Sequence, residues 1–148
     1  MENSLVMDEV LQLVTFSLDQ EVYAVDILNV QEINRITGIT KVPNAANYME
    51  GVINLRGKVI PVINLRKKFG LQNKEVDDSS RTIIMDIQGV TYGLMVDSVS
   101  EVLRIPSDVV EPPPPLASGM AGMFIKGIAK LENRLIILVN IDKLMGQS

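Results

Sequence analysis

Gly51-Val-Ile-Asn-Leu-Arg-Gly-Lys-Val-Ile-Pro-Val-Ile-Asn-Leu-Arg-Lys-Lys-Phe-Gly70 decides how the rest of the chain is to be read. Two apolar runs flank Arg56-Gly57-Lys58, and Gly57 supplies the positive φ that a tight hairpin turn needs. Asn64 opens a short helix as its N-cap, and Gly70 closes it just past the C-cap. Pro61 predicts that the second strand is an edge or carries a bulge, because proline has no N–H for a ladder. The stretch therefore predicts strand, turn, strand and short helix.

The chain repeats it. At a shift of 76 positions Gly51 falls on Gly127, Leu55 on Leu131, Asn64 on Asn140, Lys67 on Lys143 and Gly70 on Gly146. The apolar positions between them match without a gap, and Gly57 meets Asn133, another residue that tolerates a left-handed turn. Upstream, at a shift of 69, Tyr23-Ala24-Val25 matches Tyr92-Gly93-Leu94 and Val30-Gln31-Glu32-Ile33 matches Val99-Ser100-Glu101-Val102. Two copies of one β-rich unit follow, with approximate boundaries 14–80 and 81–148 and the first strand, 10–18, able to serve both. Units this small are marginal alone, so the copies are expected to pack on a shared apolar core.

Outside the repeat, Val10–Leu18 alternates as a strand with Val14, Phe16 and Leu18 on one face. Asp19-Gln20-Glu21 turns the chain, Val22–Val25 returns, and a kink at Asp26–Asn29 leads into Val30–Arg35. Pro43–Gly51 predicts one or two helical turns between an Asn cap and a Gly stop. Residues 71–80 form a polar linker between the copies. Three more strands are expected at Arg81–Ile87, Val90–Val96 and Val99–Ile105. Pro112–Pro115 is extended in the polyproline manner, and Phe124–Leu131, Arg134–Val139 and a last helix at Ile141–Met145 close the second copy. Short strands spaced by turn signals imply small barrels rather than a parallel sheet.

The composition excludes most chemistry. Among 148 residues there is no His and no Cys, which removes the usual general base at neutral pH, the strongest intrinsic nucleophile and thiolate metal sites. It also excludes a phosphohistidine carrier. Asp77-Asp78 lies in a polar linker and Asp8-Glu9 in a loose acidic start, so both pairs read as solvated acids. No glycine-rich phosphate loop is present. Net charge is −4, and the one basic cluster, Arg66-Lys67-Lys68, sits on a single helical turn. Nucleic acid and anionic membranes want a basic face that the chain lacks. The start resembles no signal peptide, and the longest apolar run, Leu135–Val139, is far too short to cross a bilayer. A cytoplasmic protein without cofactors or metals is expected.

Ile27, Val30 and Ile33 recur at helical spacing inside a segment that otherwise reads as a strand. From the residues alone they belong to the core, and Arg56 at the hairpin tip is a solvated charge. Glu132 stands at the matching tip of the second copy, so the two tips carry opposite signs.

In order along the chain, Leu13-Val14-Thr15-Phe16, Tyr23-Ala24-Val25-Asp26-Ile27, Val30-Gln31-Glu32-Ile33, Gly51–Leu65, Gly93-Leu-Met-Val-Asp97, Val99-Ser-Glu-Val102 and Leu135–Ile141 resemble the CheW family of bacterial chemotaxis coupling proteins. The resemblance covers nearly the whole chain. It implies an all-β fold of two five-stranded SH3-like barrels, and a non-enzymatic adaptor joining chemoreceptors to the histidine kinase CheA. The kinase's regulatory domain is a homologue of this fold, so coupling would proceed by barrel-to-barrel contact. It further implies that a receptor's helical tip docks in an apolar groove between the barrels, lined by Val14, Ile27, Val30, Ile33 and Val99, with Arg56 at or near the contact. Kinase-facing residues are left open and expected on the first barrel. A monomer by itself, the adaptor would be recruited into membrane receptor arrays without inserting in the membrane. Four consecutive prolines exceed the family pattern, and with Ser148 soon after the last helix no receiver domain is expected. A regulatory domain cut from a kinase and a self-assembling structural module are the competing expectations; the opening Met and complete first strand argue against the former.

Overall fold

A computed structural model describes residues 9–114 and 123–146. Eleven strands and two short α-helices are assigned among them: β1 Val10–Leu18, β2 Glu21–Asp26, β3 Val30–Arg35, β4 Met49–Leu55, β5 Lys58–Asn64, α1 Leu65–Lys68, β6 Arg81–Ile87, β7 Val90–Val96, β8 Ser98–Pro106, β9 Val110–Glu111, β10 Ile125–Leu131, β11 Arg134–Val139 and α2 Ile141–Leu144. Single 3₁₀ turns at Ile27–Asn29 and Ser107–Val109 precede β3 and β9. One sheet has the order β8-β1-β2-β11-β10-β9, the other β3-β6-β7-β5-β4. The expected all-β, SH3-like architecture is present, with the two-residue β9 as a sixth strand in one sheet.

The boundary between the units differs from the expected halves 14–80 and 81–148. One compact unit, the split unit, combines residues up to Leu28 with those from Ser100 onward; the other, the continuous unit, is Asn29–Val99. The copies have exchanged strands. Hairpin β1–β2 of the first copy joins β8–β11 of the second, and hairpin β6–β7 of the second joins β3–β5 of the first. The registers preserve the equivalence: β5 runs parallel to β7 with Val62 opposite Gly93, and β11 runs parallel to β2 with Leu138 opposite Ala24. Sequence similarity marks the copies but carries no sign of which copy each strand pairs with. The linker 71–80 accordingly lies inside the continuous unit.

In the split unit β1 is buried on both faces, with Val14, Phe16 and Leu18 on one and Leu13 and Thr15 on the other. Leu13 packs with Ala24, Ile105, Ala129, Ile136 and Leu138. Phe16 and Tyr23 are direct cross-strand partners and stack with ring centroids 5.8 Å apart, a pairing that adds to area burial in a sheet. In the continuous unit Ile60, Val62, Leu65, Ile83, Ile84, Met85, Ile87 and Leu94 are all buried.

The repeated helix ends fold as the sequence predicts. Asn64 accepts from the Lys67 N–H at 3.2 Å and Asn140 from the Lys143 N–H at 3.1 Å. Past α1, Gly70 takes φ 80; its N–H donates to the Lys67 carbonyl, and the Leu71 N–H donates to that of Arg66 at 2.8 Å. These two bonds are the Schellman pattern.

Three local expectations are corrected. Pro43–Gly51 forms turns rather than helix, with Asn44 at φ 61, and β4 already begins at Met49. Gly51 is not a helix stop but follows a bulge at Glu50 and is crossed by Thr40, which exchanges backbone hydrogen bonds with Val52; a Cβ on Gly51 would lie 2.3 Å from the Thr40 carbonyl oxygen. Gly127 is equivalent, crossed by Glu111 of β9. Pro61 is on neither an edge nor a bulge, since β5 lies between β7 and β4. Counting from the two-residue turn, Val52–Pro61 is a non-hydrogen-bonded pair, and pairing with β7 starts only at Val62; no ladder bond needs the missing N–H. Finally, the Glu132-Asn133 turn closes without a positive φ at either residue. Of the proline run, Pro112–Pro114 has no regular secondary structure, while Pro115 and residues 1–8 lie outside the described residues.

Candidate partner-binding residues

β3 carries the most informative geometry. A bulge at Gln31 shifts its register on β6, so Val30 faces Met85, Glu32 faces Ile84 and Ile33 faces Ile83. Met85 and Ile83 are two residues apart on one strand and share a face; Val30 and Ile33 therefore share a face as well. The bulge reconciles a three-residue apolar spacing with a strand. Val30 is half-buried and Ile33 is 39% exposed, so both are more accessible than core residues.

Glu32 points to the opposite face and receives Arg56. The turn Leu55-Arg56-Gly57-Lys58 places both central residues at positive φ, 52 for Arg56 and 86 for Gly57, the conformation of a two-residue hairpin loop. The Gly57 N–H donates to Asn54 Oδ1 at 2.9 Å. From this tip the Arg56 guanidinium donates to the Glu32 carboxylate and still leaves its side chain 71% exposed. Hydrogen bonding from Arg56, with help from Asn34, holds the Glu32 carboxyl below the usual glutamate range.

The other expected contact residues are placed separately. Val99 is the second residue of β8, half-buried and grouped with the continuous unit. Ile27 is half-buried in the 3₁₀ turn at the end of the split unit's first segment, where the Leu28 N–H donates to Asp26 Oδ1 at 2.9 Å. Val14 is 2% exposed, which leaves a partner almost no surface to touch. Leu28, beside Ile27, is 88% exposed; among the apolar Val25, Ile27 and Val30 nothing in its sequence sets it apart from a core residue.

Each cation of the basic cluster on α1 is engaged locally. Arg66 pairs with Asp97 at 2.7 Å, Lys67 lies 3.7 Å from Glu50, and the Lys68 ammonium sits 3.7 Å from the centre of the Tyr48 ring. No group of three metal-ligating side chains occurs among the described residues, and none of their helices is long and apolar enough to cross a membrane. The arrangement suits contact through side chains on a rigid sheet.

Comparison with known proteins gives a consistent result. A family model described as the CheW-like domain matches residues 12–148. The chemotaxis protein CheW of Klebsiella aerogenes is 37% identical over 131 residues, covering 88% of this chain and 79% of its own. That of Thermotoga maritima is 36% identical over 136 residues, covering 92% and 88%. The crystal structure of the scaffolding protein TtCheW from Thermoanaerobacter tengcongensis superposes with a TM-score of 0.83 at 43% identity, over 88% of this chain and 89% of that one.

Proposed function

The chain belongs to the CheW family, and from that premise we propose that it couples chemoreceptors to the regulatory domain of the kinase CheA as a scaffold. It performs no chemistry of its own; it holds two partners in fixed geometry and passes conformational bias between them. Individual contacts of this kind are modest, and strength comes from many linked sites in an array. Receptor contact is assigned to Ile27, Val30, Ile33 and Val99, with Arg56 at or near it; Val14 is buried within its own unit. The protein works in the cytoplasm at receptor arrays.

The observation that carries this assignment is the β3 bulge, which gathers Val30 and Ile33 on one accessible face while Glu32 draws Arg56 to the same strand. An accessible apolar pair on one face of a strand is what an amphipathic helical partner requires. Binding of a soluble receptor-tip hairpin and of the kinase regulatory domain should be titrated separately. Val30→Asp should abolish receptor binding, keep kinase binding and leave the circular dichroism unchanged. Full receptor binding by a folded Val30→Asp protein would sink the assignment. Failure of the wild type to bind either partner, together with self-association, would sink the coupling function itself.

A further inference from the structure

The repeat places Val99 on Val30, residues at or next to the start of their strands with the same proposed role, yet their approaches are built differently. Before Val30, Asp26 fixes the backbone locally by accepting from the Leu28 N–H. At the position matching Leu28, the second copy has Asp97. Its carboxylate accepts from Arg66 Nη1 at 2.7 Å, with the two side chains only 9% and 10% exposed for Arg66 and Asp97. Arg66 Nε also donates to the Gln72 carbonyl at 2.8 Å. One guanidinium thus ties α1, the polar segment after it and the residue that precedes β8.

Such a pair is a poor way to gain stability. Taking two charges out of water costs about as much as their attraction returns, and apolar side chains of equal size often serve as well or better. The split unit makes the point internally, since Asp142 stands at the position of Arg66, Leu28 at that of Asp97, and Leu28 is exposed. The repeat folds without the pair. What the pair adds is direction, because a short charge-assisted bond permits one orientation where apolar contact permits several.

We propose that Arg66 is a positioning residue for receptor recognition, acting through Asp97 to hold the opening of β8 so that Val99 is presented in a single conformation. This rests on the coupling function and on the assignment of Val99 to the receptor contact. The decisive variant is Arg66→Met with Asp97→Leu, made together so that neither charge is left alone in a buried place. It should unfold in urea at or above the wild-type midpoint. Amide exchange at Ser98 and Val99 should rise at least about tenfold, with the β6 amides unchanged. Affinity for the receptor hairpin should fall about tenfold while that for the kinase domain is kept. Arg66→Lys retains the charge but not the rigid fork by which Nε and Nη1 hold two acceptors at once, and should show the same exchange effect in smaller measure.

A folded double variant with wild-type receptor affinity overturns the proposal, as does equal loss of both partners. Unchanged exchange at Ser98 and Val99 in either variant also overturns it. If the wild type binds no receptor hairpin, the coupling function is what fails, and the exchange measurement alone then decides whether Arg66 positions β8.

Discussion

Arg134, just past the turn that joins β10 to β11, stands 2.9 Å from Glu101 of β8, and this contact duplicates that of Arg56 with Glu32 in the other unit. Glu101 occupies the position of Glu32 in the repeat, but Arg134 occupies that of Lys58, while Arg56 corresponds to Glu132. Each unit therefore secures its hairpin tip to an incoming strand with one arginine–glutamate pair, drawn from opposite ends of the turn. The sign reversal between Arg56 and Glu132 is in part a relocation of the same bond.

Arg56 consequently has two separable roles. Glu32→Gln and Arg56→Ala both break the pair, and an exposed pair contributes little to stability, so both proteins should melt close to wild type. If the arginine also touches the receptor, Arg56→Ala should weaken receptor binding about tenfold more than Glu32→Gln. Equal affinities in parallel titrations would reduce Arg56 to a structural residue.

Acid should reveal the same pair. Glu32 is held below the usual glutamate range chiefly by the Arg56 hydrogen bond, and Asp77 is held below the usual aspartate range chiefly by the Ser79 N–H. The unfolded chain then binds more protons than the folded one, so each group contributes stability above its unfolded value, about 4.3 for Glu and 3.9 for Asp. That contribution disappears as pH falls through the lower folded value. Urea unfolding from pH 6 to 2.5 should show a shallower acid slope for Glu32→Gln and for Asp77→Asn than for wild type.

The two helix caps should differ in worth. Asn64 is buried and its amide also donates to Glu50 Oε1 at 3.1 Å, whereas Asn140 is half-buried and the repeat has Lys126 at the position of Glu50. Asn140→Ala should cost about 1 kcal/mol, as for an ordinary cap. Asn64→Ala should cost clearly more, because it also strips a partner from Glu50. Chemical denaturation of the two variants ranks them.

Gly51→Ala and Gly127→Ala test the bulge crossings. Added methyls would lie 2.3 Å from the Thr40 carbonyl oxygen and 2.7 Å from Val110 Cγ1. A side chain can turn aside and a hydrogen-bonded backbone cannot, so Gly51→Ala should be the more damaging. Overpacking of this sort costs about 1–3 kcal/mol, readable as a drop in the denaturation midpoint.

The local elements were legible because their signals are local. Gly57, Asn64 and Gly70 specify turn, cap and stop by conformational preference, and alternation located β1. Pairing between copies was not legible, since Val62 opposite Gly93 and Leu138 opposite Ala24 are matches that either copy's strand could satisfy. The helical spacing of Val30 and Ile33 misled for a related reason: a bulge is a property of two strands, and one strand's sequence does not show it. Arg66–Asp97 escaped notice because an arginine in a basic run and an acid ending a strand look solvated until a fold joins them across 31 positions.

The exchange of strands also sets an order of events on the ribosome. Residues 29–99 hold every strand of the five-stranded sheet, so that sheet is complete as soon as β7 and the residues just after it emerge. Hairpin β1–β2 is made first yet must wait for β8, β10 and β11, made last. The oldest part of the nascent chain is thus the latest to find its partners, and Leu13 and Ala24, which pack on Ile105, Ala129, Ile136 and Leu138, stay uncovered until the end.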